Sequence, residues 1–210
     1  MSVMRDGIGQ KVQIGTEDFE FMRLPRKYWS IGWGDIRDGE KKNKVAAYLT
    51  NRFKPENLGR GDDWLVLIGP TCTGKSVVGA FVAKSFMARS FQVQWLWSHD
   101  LQTLVMEGHE FDEGLSWQEW ALTCDVLVID ALGDEMFSGF TGSGVSLIVH
   151  GRIERDLPTI VSTRLSPREL DGKYGRGFST KLMHSSTVIE TTQDGNSGGV
   201  YYGKSKIDEI

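Results

Sequence analysis

The sequence predicts an α/β fold, a parallel sheet with helices on both faces, and three observations carry that reading. Residues 69–76 read Gly-Pro-Thr-Cys-Thr-Gly-Lys-Ser, a complete G-x-x-x-x-G-K-[ST] phosphate-binding loop. The loop stands between the apolar run Trp64 to Ile68 and the segment Val77 to Phe86, whose apolar residues recur at helical spacing. Strand, loop and helix in that order are the context the motif requires. Beyond it, short apolar runs alternate with helical patterns, as in a sheet whose parallel strands are joined by crossover helices.

Taken in order, residues 1–20 are polar and unpatterned and read as a flexible N-terminal arm, with the core domain over 21–210. Val45, Ala46, Tyr48, Leu49 and Phe53 recur at i, i+3, i+4 spacing, an amphipathic helix over 40–54. A turn from Pro55 to Asp63 leads into the strand before the loop. Phe91 to Trp97 reads as a strand, and Leu101 to Met106 and Trp117 to Leu122 as helices. Val126 to Asp130 is an apolar strand closed by an acid. Val145 to Ile153 is a helix, Thr159 to Thr163 a strand, and Pro167 to Leu170 the start of a short helix. Ser186 to Thr191 is a last strand, followed by a hairpin turn at Gln193 to Asn196 into Val200 to Tyr202. Gly139, Gly142 and Gly144, with Phe137 and Phe140, read as a mobile loop facing nucleic acid or a partner.

Composition narrows the class. Of 210 residues, 40% are apolar and 25% charged, ordinary for a globular protein with a core. No apolar run approaches the roughly 18 residues needed to cross a bilayer, and the N-terminus lacks a signal-peptide core. Two cysteines make no disulfide framework, so a reducing cytoplasm is the expected location. The four histidines lie far from any cysteine pair, which argues against zinc. A net charge of −4 argues against a surface coated for nucleic acid. Two local basic clusters, Arg23, Arg26 and Lys27, then Lys41, Lys42 and Lys44, are equally compatible with a solvated face and with phosphate tracking.

The loop's chemistry is specific. Backbone N–H groups of residues 69–77 (Gly69, Pro70, Thr71, Cys72, Thr73, Gly74, Lys75, Ser76, Val77) wrap phosphate at a helix N-terminus, proline excepted, and the macrodipole favours the anion. Lys75 is placed to reach the β- and γ-phosphates, and the Ser76 hydroxyl to ligate Mg²⁺. The expected cofactors are therefore ATP and Mg²⁺. Asp130, closing the strand 126–130, is the acid expected to complete the Mg²⁺ site. Hydrolysis also needs a water-orienting group, usually an acid next in sequence, but this chain has Ala131. Asp134 and Glu135 stand close enough in sequence to substitute. Weak ATPase activity is expected.

A family resemblance adds to this. Leu24-Pro25-Arg26-Lys27-Tyr28 resembles the I-P-x-R-Y segment of DnaC/IstB-type AAA+ ATPases, the bacterial and phage helicase loaders and their transposition relatives. Ile129-Asp130-Ala131-Leu132-Gly133-Asp134-Glu135 is similar to that family's I-D-D-L-G-x-E. The stretch from Pro158 to Leu170 is similar to P-T-I-I-T-T-N-L-S-P-E-E-L, and Gly175 to Leu182 to G-E-R-I-A-S-R-L. The motifs keep their order from residue 24 to about 190. The resemblance implies a P-loop AAA+ (ASCE) core with sheet order 5-1-4-3-2, no C-terminal helical lid, and side-by-side assembly in which a neighbour's basic residue completes the ATP site. By motif position that finger is Lys181, where the family has Arg, with Arg176 as its rival. The sensor position falls on Arg164, where the family has Asn, and Arg152 matches the N-x-R-Y arginine. The departures at residues 131, 164, 177 and 181 all touch hydrolysis, whereas the binding residues are intact.

The implied function is a helicase loader or replication-accessory ATPase, short enough to suit a phage. It would form an ATP-dependent homo-oligomer on single-stranded DNA and work with a replicative helicase or another replication protein, not with a membrane. The alternatives are a transposition helper on duplex DNA and a nucleotide-gated protein-binding module with vestigial hydrolysis. Trp95 and Trp97 share one strand face and are assigned to the core. Trp29 and Trp33 suit packing of the arm, adenine contact or base stacking.

Overall fold

The computed structural model describes residues 2–5, 11–37, 39–57, 64–100, 104, 116–135, 139–184, 186–192 and 200–202. At the N-terminus, Ser2–Arg5 (β1) and Lys11–Ile14 (β2) pair antiparallel. Helix α1 (Thr16–Phe21) and two short 3-10 turns lead to α2 (Gly39–Arg52). Then follow β3 (Trp64–Ile68), α3 (Lys75–Met87), β4 (Val93–Trp97), α4 (Trp117–Thr123), β5 (Val126–Leu132), α5 (Gly139–Glu154) and β6 (Thr159–Thr163). Helices α6 (Pro167–Tyr174) and α7 (Phe178–His184) precede β7 (Ser186–Glu190) and β8 (Val200–Tyr202).

The main sheet runs β4-β5-β6-β3-β7-β8. Its first five strands are parallel, and β8 adds antiparallel to β7. Counting the parallel strands in chain order from β3 turns this into 2-3-4-1-5, the AAA+ order expected above read from the other edge. Period-two alternation splits each strand between two cores. Leu65 and Leu67 face α2, α3 and the N-terminal segment, while Trp64, Val66 and Ile68 face α4 to α7. Helices therefore cover both faces.

Local signals explain the boundaries. Ser116 and Ser166 cap α4 and α6 in S-x-x-E boxes, each serine's N–H donating to the glutamate three residues on, Glu119 at 3.0 Å and Glu169 at 2.8 Å. Pro167 takes the first turn of α6, where its missing N–H costs nothing.

Two expectations need correction, and one helix goes beyond them. The glycines of 139–144 are not a loop, because α5 begins at Gly139. A Cβ on Gly144 would lie 3.0 Å from the Trp117 ring, and one on Gly151 would lie 2.7 Å from Leu122. These glycines let two helices approach closely. The arm also ends sooner than residue 20, since Ile14 and Phe19 are buried in the α3-side core. The segment 178–184, left without structure by the sequence pattern, is helix α7. The helix expected over 101–106 and the turn at 193–196 lie outside the described residues, apart from buried Leu104. Phe137 lies outside them too. Among the described residues no helix is long and apolar enough to cross a membrane.

Arg152 ties the end of the sheet away from the phosphate loop. It is fully buried, and its guanidinium donates to the carbonyls of Ala121 (2.7 Å), Cys124 (3.0 Å) and Pro158 (2.8 Å) and to Thr159 Oγ1 (2.8 Å). Only a planar fork of donors closes so many acceptors at once. Burial holds its pKa below the usual guanidinium value. Arg152→Leu takes the guanidinium donors away from these buried acceptors, so a loss of about 3 kcal/mol is expected. Urea unfolding with an unchanged slope and a lowered midpoint is the measurement.

Candidate functional site

The turn between β3 and α3 has the backbone of an anion cradle. Gly69 (φ 146°), Cys72 (φ 64°) and Gly74 (φ 86°) hold positive φ, which turns successive N–H groups inward ahead of the helix. Gly69 is required by space as well, because a Cβ there would lie 2.0 Å from the Thr191 carbonyl oxygen. That contact follows from the sheet. Thr191, just past β7, donates its N–H to Ile68 O at 2.8 Å, and its hydroxyl pairs with that of Thr73 at 2.5 Å. Lys75, 9% exposed, donates to the carbonyls of Gly69 (2.7 Å) and Pro70 (2.5 Å). Burial lowers its pKa, and the nearby Asp130 carboxylate works against that.

Asp130 stands on β5, two strands from β3, yet Ser76 Oγ donates to its Oδ1 at 2.9 Å. The intervening strand β6 supplies a second donor to the same oxygen, Ser162 Oγ at 2.5 Å. Ser162 also accepts from the Ala131 N–H at 2.9 Å, while Ser98 Oγ donates to the Ala131 carbonyl. Ala131 is thereby held in left-handed backbone (φ 60°), where the β5–β6 register slips. A hydroxyl beside one buried carboxylate, next to a phosphate cradle, suits Mg²⁺, which is bound through one or two protein oxygens with phosphates and water supplying the rest. Among the described residues no cluster of three or more His, Cys, Asp or Glu forms a cage for a metal.

Two clefts flank the loop. The first, about 550 Å³, lies toward α2 and is lined by Ile31, Asp35, Ile36, Lys41 and the loop residues Cys72 to Gly74. The second, about 410 Å³, opens toward Asp134 and Arg164 and also takes in Lys27, Tyr28, Lys75, Ser76, Ala131 and Ser162. Arg164 Nε donates to Asp134 Oδ1 at 2.5 Å across the mouth of this cleft. Glu135 does not join it. Its buried carboxylate accepts from the Gly133 N–H (2.9 Å) and Tyr174 OH and pairs with Lys173 (3.0 Å). Burial and that carboxylate push the Tyr174 phenol far above its usual range. Arg176, two residues before α7, and Lys181, within it, are solvent-exposed and line neither cleft.

The second basic cluster does not form an open charged face. Lys41 is buried against the phosphate loop, and Lys44, largely buried, pairs with Glu40 at 2.8 Å. Lys42 lies over the Trp33 ring. Trp95 is core, whereas Trp97 is half-buried under Lys27. Trp29 packs on Phe19 and Trp33 on Phe81, and neither lines the clefts beside the loop. The residues that motif reading missed are Ser162 and Thr191, and Lys27 and Lys41, named there only as members of basic clusters, line the clefts beside the loop. A serine inside an otherwise apolar strand is the signal for the first.

Known proteins share this fold. No protein-family model matches the chain, and no curated protein matches its sequence. Among solved structures, a DnaC helicase loader superposes with a TM-score of 0.65 at 19% identity, covering 80% of this chain and 99% of that one. A primosome component from Streptococcus pyogenes gives 0.64 at 17% identity, covering 89% and 100%. A DnaA replication initiator bound to AMPPCP and single-stranded DNA gives 0.62 at 14%, covering 80% of this chain and 50% of that one. The chain has the P-loop AAA+ fold of these replication proteins.

Glu135→Ala separates structure from chemistry. Removing the carboxylate takes the acceptor from Tyr174 and the ion pair from Lys173, whose ammonium keeps the Gly133 and Glu135 carbonyls at 2.6 and 2.9 Å, so stability falls by about 2 kcal/mol. Nucleotide affinity, measured below the unfolding transition by titration calorimetry, stays within about twofold of the parent.

Proposed function

We propose that this chain is an ATP-binding AAA+ protein of DNA replication, a helicase loader or accessory ATPase that assembles side by side on single-stranded DNA. The observation that carries the reading is the meeting of Ser76 and Asp130 at 2.9 Å beside the Lys75 loop. Sequence positions 54 apart converge there on one geometry. Lys75 would leave the loop carbonyls for the β- and γ-phosphates, and Ser76 and Asp130 would hold Mg²⁺, which would supply positive charge to the phosphates. The replication role rests on the shared fold with a helicase loader and with an initiator bound to single-stranded DNA.

Turnover is proposed to be weak. Ala131 lines the phosphate cleft at the position where an acid would orient water. Glu135 is committed to Tyr174 and Lys173, which leaves Asp134, itself paired with Arg164. These commitments also favour a second reading, a nucleotide-gated module that binds a protein partner and barely hydrolyses ATP. Arg176 and Lys181, both exposed, are available to a neighbouring subunit's γ-phosphate. For DNA, the exposed Arg26 and Lys27 remain after the correction of the second cluster.

Lys75→Ala should lower ATP affinity tenfold or more, the loss of a charge-assisted contact worth about 1.5–3 kcal/mol. Unchanged calorimetric affinity would falsify the loop's assignment.

Assembly is checked by light scattering with a slowly hydrolysed ATP analogue, with ADP, and with labelled single-stranded DNA at low salt. The expected result is a larger species only with the analogue, reduced in Lys181→Ala or Arg176→Ala, and DNA binding that weakens steeply with salt. Assembly without DNA binding favours the protein-binding module, and no assembly under any condition removes the loader reading.

A further inference from the structure

Lys41 belongs to α2, far in sequence from the phosphate loop, yet it is 7% exposed and sits against that loop. It occupies the buried stripe of the helix, Lys41, Val45, Tyr48 and Arg52, where the pattern calls for an apolar side chain. Its ammonium donates to the Thr73 carbonyl at 2.8 Å, and a Cβ on Gly74 would lie 3.9 Å from the same nitrogen. Among the described residues that carbonyl is its one acceptor, and no carboxylate lies within ion-pair distance. A buried ammonium with one neutral acceptor and two further N–H groups is costly to keep. The nearest comparison is Lys84, also buried, which holds two carbonyls, Trp29 O at 2.9 Å and Ile31 O at 2.5 Å, and thereby pins the N-terminal segment onto α3. Lys41 lacks that degree of satisfaction, and its free donors open into the cleft lined by Ile31, Asp35 and Ile36.

Lys75 and Lys41 bracket the loop from opposite clefts. Lys75 adjoins the cleft that holds Asp130's neighbours Ala131 and Ser162, and Lys41 adjoins the cleft toward α2. They are close enough for Lys41 to depress the Lys75 pKa in addition to burial. Two like charges on one loop repel, and a polyanion seated between them relieves the repulsion. The γ-phosphate end of a nucleotide is fixed by Ser76 and Asp130, so the α2 side is left for the sugar and the phosphate next to it.

We propose that Lys41 is a second cationic residue of the nucleotide site, contacting the sugar-proximal phosphate and linking α2 to nucleotide occupancy. This rests on the ATP-binding reading above. A contact to the sugar-proximal phosphate is shared by ATP and ADP, whereas a γ-phosphate contact is made by ATP alone.

The test compares Lys41→Met and Lys41→Gln with the parent and with Lys75→Ala. The glutamine amide can still donate to the Thr73 carbonyl but carries no charge. Calorimetry with ATP and with ADP in Mg²⁺ should show both nucleotides weakened about tenfold by either Lys41 variant, by the same factor within twofold. Melting temperatures without nucleotide should not fall, since an uncompensated buried charge has been removed. Parent-like affinity in Lys41→Gln would mean that Lys41 is a loop staple and overturn the proposal. So would a loss confined to ATP, or a loss accompanied by a melting temperature lowered in both variants. Failure of the parent itself to bind nucleotide would instead overturn the functional reading, and loss in Lys75→Ala alone would leave that reading standing without Lys41.

Discussion

The bond between Ser76 and Asp130 is the contact on which the carboxyl end of the sheet depends. It joins the helix after β3 to the end of β5, across a strand that belongs to neither. Such a bridge requires the order β5-β6-β3, because only there does a single β6 residue, Ser162, stand between the two partners and donate to the same carboxylate oxygen. The sheet order is thus more than a family mark. It sets the distance between an acid and a hydroxyl, and a buried carboxylate tolerates that distance because both neighbours donate to it. Ser162 then spends its acceptor capacity on the Ala131 N–H, which holds the chain in left-handed backbone directly after the acid. One serine therefore sets both the acid and the bend that follows it.

On the other face, buried cations organise the N-terminal half through backbone carbonyls rather than carboxylates. Lys84 clamps Trp29 and Ile31, Lys41 meets Thr73, and Arg52 donates to Asn57 O at 2.6 Å. Carbonyl acceptors hold such groups in place without adding a negative charge, which beside the phosphate cradle would repel the anion. The same segment closes the edge of the sheet, since Trp95 on β4 donates its N–H to Met22 O at 2.8 Å. Residues 14–37 are consequently part of the core's construction. They carry too few apolar residues in a regular period for a pattern reading to reveal it.

What was legible from sequence, and what was not, divides along physical lines. The parallel strands were readable because each is a short apolar run bounded by turn residues, and the phosphate loop because its residue types are dictated by anion contact. Helix α7 was not, because Phe178-Ser179-Thr180-Lys181-Leu182-Met183-His184 has only two fully buried apolar anchors and begins after two positive-φ glycines that read as loop. The start of α5 was hidden for the opposite reason. Glycines are poor helix formers, yet Gly144 sits where a Cβ would crowd the Trp117 ring at 3.0 Å. Tertiary packing overrode propensity there. Lys41 was left between solvent and phosphate because lysines in a run suit either, although its spacing from Val45 and Tyr48 places it on the buried stripe.

The acids around the loop argue for how binding and turnover are apportioned. Of the three carboxylates from 130 to 135, Asp130 faces Ser76, Asp134 is held by Arg164, and Glu135 is turned into the protein by Gly133, Lys173 and Tyr174. An acid in place of Ala131 would add a second negative charge next to Asp130, in backbone that most side chains adopt only with strain. Alanine avoids the repulsion and leaves Asp130 as the single carboxylate beside Ser76. The same substitution removes the group best placed to orient water for attack. Under the proposed function, such a site would hold phosphate with no acid next to Asp130 to orient water, and the bound nucleotide would act chiefly as a component of the assembled interface.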